Sequence, residues 1–160
     1  MIEVYTPQTG CKEEEKDDFR AILDVEIPKN DLVILGGDLN AHVGKVRDSY
    51  KRHHGGFGYG EGNEGEHVLK FAQAFDLALT NTYFKKNDSL IAYEVWYKKT
   101  QIDYMLISHR RLKDIIDCKV IPCEDIAAQH KLLVMDLHIT NKSTQNKIKL
   151  KPCIKWGRLK

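Results

Sequence analysis

With 160 residues the chain can form one ordinary domain with a sizeable core, and 42% apolar and 30% charged residues are the shares of a soluble globular protein. A net charge of +2 excludes a general polycation, although the charge is uneven, acidic in CKEEEKDDF near the start and basic at the end. No apolar run approaches the length of a membrane span.

In chain order, IEVY is a short β-like run that Pro7 and Gly10 break. The opening MIEVYTPQTG has no basic region followed by a long apolar one, so it is not read as a secretory signal, and a nuclear or cytoplasmic protein is expected rather than a secreted one. Residues 11–27 read as a helix with Phe19, Ile22, Leu23 and Glu26 on one side, and its acidic first turn suits the positive end of the helix dipole. Pro28 and Asn30 end it. DLVILGG, residues 31–37, is a continuous apolar run and predicts a strand buried on both faces. Residues 44–65 form a long loop rich in Gly, His and charge. A second helix follows over 66–75, with Val68, Leu69, Ala72 and Phe75 at helical spacing. LALTNTYF, SLIAYEVWY and QIDYMLIS predict strands, HRRLKDII a short helix or turn, and CKVIP and HKLLVMDLHI the last strands. From about Thr140 the pattern stops. Residues 1–140 therefore read as one α/β or α+β domain, and 141–160, with seven Lys or Arg and no acid, as a basic linker tail. Cys11, Cys118, Cys123 and Cys153 fit neither a zinc knuckle nor a disulfide framework and read as reduced thiols.

Three places put polar residues at the edge of an apolar strand: Asp38 with Asn40, Asp103 in TQIDYMLIS, and Gln129 with His130. Turn chemistry explains any one of them, because Asp and Asn bond their own backbone after a strand. Three such places in one chain point instead to a shared cleft, since strand ends in layered folds converge. Asp and Asn supply hard oxygen ligands for Mg²⁺, a carboxylate orients or deprotonates water, and a carboxylate-held His contacts a phosphate oxygen or protonates a leaving group. That kit matches metal-assisted cleavage of a phosphate ester.

YTPQTG, GGDLNAHVG, LTNTYFKKN, TQIDYMLIS and QHKLLVMDL, in that order, resemble the endonuclease/exonuclease/phosphatase superfamily. Within it they are similar to the endonuclease of long interspersed retrotransposons, in the branch whose relatives are called craniofacial development protein 2-like. The resemblance implies a two-sheet sandwich with outer helices, its first lobe largely missing here. It implies a DNA substrate, Mg²⁺ or Mn²⁺ as cofactor, and a reverse transcriptase domain beyond the PCIKWGRLK tail of the parent element. By the same resemblance Tyr5 hydrogen-bonds the scissile phosphate, Asp38 orients the attacking water, and Asn40 holds the phosphate or the water. Asp103 fixes the catalytic histidine, which is His130. The family's main metal ligand, a Glu, and an Asn of its first strand lie upstream of the YxPQ motif and have no counterpart here. That leaves Asp38 as a weak metal ligand, with Gln129 where the family commonly has Asp. The chain is therefore expected to be an N-terminally truncated endonuclease, inactive alone. The alternatives are a non-catalytic domesticated remnant that binds nucleic acid or protein, and a small-phosphoester phosphatase of the same superfamily.

Other signals carry less. GFGYGEGNEG has dinucleotide-like glycine spacing but follows no strand. Adjacent His53 and His54 point in different directions, and His42 reads as loop packing. Tyr93, Trp96 and Tyr97 suit base stacking and hairpin packing equally. Lys98, Lys99, Arg110 and Arg111 bracket the Asp103 strand as a candidate phosphate-tracking rim.

Overall fold

Strand pairing sorts the chain into two four-stranded sheets. The computed structural model describes residues 1–6, 11, 12, 14, 15, 18, 21, 22, 27, 32–62, 65–86, 90–96, 98–127 and 129–138. The first sheet has the order β1-β2-β6-β3, from β1 (Ile2–Glu3), β2 (Ile34–Asp38), β3 (Leu77–Leu79) and β6 (Asp103–Ser108). The second has the order β5-β4-β8-β7, from β4 (Tyr93–Val95), β5 (Lys98–Thr100), β7 (Ile115–Ala127) and β8 (His130–Leu137). β1 runs parallel to β2, and the remaining pairings are antiparallel.

One face of the first sheet carries Leu35, Leu77, Leu79, Tyr104 and Leu106. All are essentially fully buried against Val68, Leu69 and Ala72 of the helix Glu66–Ala74. The helix forms because its apolar residues recur every three or four positions, and it ends at Phe75, just before Asp76 (φ +49). The other face carries Gly36, Asp38, Asp103, Met105 and Ile107, because side chains alternate along a strand and the register sets Gly36 against Met105 and Asp38 against Asp103. This face looks toward the second sheet. The fold is thus an α/β two-sheet sandwich with a helix packed outside, as the sequence predicts.

Several boundaries differ. DLVILGG is buried on one face only: Val33 and Leu35 are core, while Ile34 and Gly36 are half-covered. The half-covered face, with Gly36, borders an open cleft. LALTNTYF stops being a strand at Leu79, where Thr80–Thr82 turn into a 3-10 segment. Among the described residues of SLIAYEVWY, Tyr93–Val95 form a strand, which pairs with Lys98–Thr100. CKVIP is part of a strand that runs far longer, Ile115–Ala127. Of residues 11–27, positions 14, 15, 18, 21 and 22 are helical, and Ile22 is 61% exposed, while Phe19, Leu23 and Glu26 of the predicted apolar side lie outside the described residues. The 141–160 tail lies outside the described residues.

Candidate functional site

The site is assembled from the ends of four strands. Asp38 ends β2 and Asp103 begins β6, directly opposite each other in the antiparallel register. The Leu39 N–H donates to the Ile102 carbonyl at 2.9 Å and fixes the two strands just beyond. From the second sheet, His130 begins β8. Its Nδ1–H donates to Asp103, with the carboxylate oxygens at 3.1 and 3.3 Å. Its other nitrogen, Nε2, lies 4.0 Å from Asp38 Oδ2. One imidazole therefore spans two carboxylates, with Asp103 fixing the tautomer so that Nε2 faces Asp38 and the cleft.

Asn40 follows the strand in a left-handed conformation (φ +46), which Asn tolerates better than most residues. Its backbone N–H donates to Asp38 Oδ1 at 2.8 Å, an Asx-type contact that orients the carboxylate. Its side-chain amide donates to the Thr6 carbonyl at 2.9 Å. The Val4 and Thr6 N–H groups in turn donate to Gly36 and Asp38 carbonyls at 2.9 and 3.0 Å, extending the parallel pairing past β1. Tyr5 therefore lies beside Asp38 and on its face. Its neighbour Val4 points the other way into the core, and Tyr5 is 64% exposed.

The surroundings tune the pair. Burial pushes the Asp103 carboxyl above its ordinary value, against the charge and hydrogen bond of His130, and Asp38 adds to the rise. Tyr93, opposite His130 in the β4–β8 register, packs edge-on against the imidazole with ring centres 4.8 Å apart. The Tyr93 hydroxyl donates to Gln129 Oε1 at 2.7 Å, and Gln129 holds a left-handed φ of +77.

The strand-end residues Asp38, Asn40, Asp103 and His130 therefore lie at one rim, and Tyr5, singled out by the resemblance, lies there with them. Two of the four basic residues lie away from this rim. Arg110 and Arg111 follow Ser108, at the end of β6 opposite Asp103, about 17 Å away at the rise of a strand. Arg111 pairs with Asp114, and Lys99 lies 3.6 Å from Glu94. Lys98 belongs to β5, and its side chain lies outside what is described. His53 and His54 are buried, far from metal-binding exposure.

The described residues fit a self-sufficient Mg²⁺ or Mn²⁺ cage poorly. Among them no three His, Cys, Asp or Glu side chains are grouped to hold a metal ion. Asp38 Oδ1 accepts the Asn40 N–H, both Asp103 oxygens face His130, and the Gln129 oxygen accepts from Tyr93. Glu3 lines the inter-sheet cleft together with Asp103 and Lys131 without joining such a group.

Two supporting residues escaped the sequence reading. Tyr93 was read only as a stacking or packing residue, and its contact with His130 depends on cross-strand register. Asn81, 2% exposed, donates from Nδ2 to the Asp103 carbonyl at 3.0 Å and accepts the Met105 N–H at 3.4 Å. The available signal was an Asn, poorly suited to strands, at the point where an apolar run ends.

The same architecture is found in known nucleases. The chain is similar to the endonuclease domain of TRAS1, a telomere-specific non-LTR retrotransposon, with a TM-score of 0.57 and 14% identity over 83% of this chain and 53% of that one. It is similar also to the 3'-5' exonuclease NExo from Neisseria meningitidis, with a TM-score of 0.60 and 14% identity over 84% of this chain and 59% of that one. The chain thus spans little more than half the length of either, and at this identity the likeness establishes a shared fold. No protein-family model matches the sequence, and no curated protein matches it. Among the described residues no helix is long and apolar enough to cross a membrane.

Proposed function

We propose that the chain is part of a DNA phosphodiester-cleaving nuclease of retrotransposon origin, in the craniofacial development protein 2-like branch. The observation that carries this reading is the meeting of Asp103, His130 and Asp38, which come from two different sheets, within hydrogen-bonding or near-contact distance. In this reading Asp38, oriented by the Asn40 N–H, positions the attacking water. Asp103 holds His130 so that Nε2 contacts a phosphate oxygen, and Tyr5, exposed beside Asp38, donates its hydroxyl to the same phosphate. Residues 1–140 form the nuclease portion. Residues 141–160 are a basic linker toward a reverse transcriptase in the parent element, and the protein acts in the nucleus or cytoplasm.

Because the donor set described is a poor cage for a divalent ion, the chain alone with Mg²⁺ or Mn²⁺ nicks DNA weakly, and DNA binding outlasts cleavage. That favours a second reading, a non-catalytic remnant that binds nucleic acid through the same rim. The test is supercoiled-plasmid nicking in Mg²⁺ beside fluorescence anisotropy with a duplex oligonucleotide. Residual nicking that falls about 10²-fold or more in both Asp38→Asn and His130→Ala supports the nuclease reading. Binding that weakens in Tyr5→Phe and His130→Ala, with no nicking in any variant, supports the remnant. Loss of neither activity in any of these variants overturns both. Turnover of a small aryl phosphate, abolished by Asp38→Asn, would move the assignment to a phosphatase.

A further inference from the structure

β3 stops at Leu79, opposite Leu106, yet β6 continues through Met105 to Asp103. On the side where β3 would have continued, the Asp103 carbonyl and both backbone groups of Met105 would be left without ladder partners, inside the protein. Unpaired buried backbone groups cost about 1–3 kcal/mol each. The 3-10 segment Thr80–Thr82, whose three side chains are essentially fully buried, fills the gap. Thr80 Oγ1 donates to the Met105 carbonyl at 2.8 Å. The Asn81 amide does the rest, donating to the Asp103 carbonyl and accepting the Met105 N–H. A side-chain amide has the donor and acceptor of a peptide group, so Asn81 continues the sheet by one further rung without a strand. Thr82 faces elsewhere: its Oγ1 donates to the Leu79 carbonyl at 2.7 Å and accepts the Gly55 N–H at 2.9 Å.

We infer that Asn81 is a positioning residue for the Asp103–His130 pair. Asp103 is the first residue of its strand, and β2 holds its backbone from one side only. The rung supplied by Asn81 holds it from the other, at the residue whose carboxylate meets the His130 imidazole from the other sheet. The proposal rests on the reading of Asp103–His130 as the working pair.

The test uses the ¹⁵N-labelled full chain without DNA, so its outcome is independent of whether the chain cleaves anything. Asn81→Ala and the near-isosteric Asn81→Leu are compared with Thr82→Val, which disturbs the same buried segment but removes a hydroxyl whose hydrogen bonds go to Leu79 and Gly55 and not to β6. Two quantities are read: amide exchange at Met105 relative to Leu106, and the His130 tautomer by long-range proton–nitrogen correlation. Expected for both Asn81 variants is a Met105 exchange rate raised at least about tenfold, the factor for about one lost buried hydrogen bond. His130 should then pass from the Nδ1–H form to a mixture of tautomers. Thr82→Val should change neither, even at equal loss of melting temperature. If Asn81→Ala does not fold, Asn81→Asp, which keeps the acceptor for Met105, is read in the same way and should still lose the single tautomer. A His130 tautomer unchanged in every folded Asn81 variant, or changed equally in Thr82→Val, overturns the inference.

Discussion

His54 is fully buried, and its hydrogen bonds fix its tautomer. The Gly56 N–H donates to Nδ1 at 3.0 Å, so Nε2 carries the proton and donates to the Gly44 carbonyl at 3.1 Å. Burial holds its pKa below the ordinary 6.5, against the Gly44 hydrogen bond and with help from Arg47. A depressed histidine takes up its proton in the unfolded chain first. Stability is therefore full above about pH 6.5 and falls as pH drops from there toward the folded value. Urea unfolding at pH 7.5 and 5.5 should show this loss, and His54→Asn should flatten it while lowering stability at both. For the Asp103–His130 pair, Asp103→Asn should leave a fold but release the His130 tautomer, visible in the same proton–nitrogen spectra. Asp38, Asn40, Asp103 and His130 were legible as candidates in the sequence because acids, amides and histidines are out of place at the edges of apolar strands, whereas Tyr5 came only from the family resemblance. Asn81 and Tyr93 were not legible, because their roles depend on which strand ends early and which residue lies across from which.

At the scale of elements, Gly37 connects the site to β1. Its φ is +156, and a Cβ there would fall 1.7 Å from the Val4 carbonyl oxygen. Gly37→Ala should therefore push β1 away, lower stability by about 2 kcal/mol or more, and expose the Val4 and Thr6 amides to exchange, which hydrogen-exchange mass spectrometry would detect. The helix Glu66–Ala74 and the heart of each strand were legible from periodicity. Strand ends were not. LALTNTYF is apolar or β-branched at most positions, but the Thr80, Asn81 and Thr82 side chains bond the backbone and end the strand. CKVIP seemed to end at Pro122. β7 is an edge strand, where a proline can face outward, and the register shifts between Ile121 and Asp125.

Taken as a whole, the molecule has an open seam. A cleft of about 300 Å³ between the sheets is lined by Met1, Ile2, Gly36, Gly37, Met105 and Leu133 among others. Uncovered apolar surface costs about 25 cal/mol per Å², against a net stability of about 5–15 kcal/mol. Self-association that rises with concentration is therefore expected in sedimentation velocity, and a monodisperse monomer at all concentrations would contradict it. The cleft has a further consequence because it separates the two halves of the site. Asp38 and Asp103 hang from one sheet and His130 from the other, so the distance between them works as a caliper for sliding of one layer over the other. Any anion gripped by both jaws would also rivet the layers together. Ligand occupancy should therefore register far from the rim, as slower amide exchange in β3 and β7 alike.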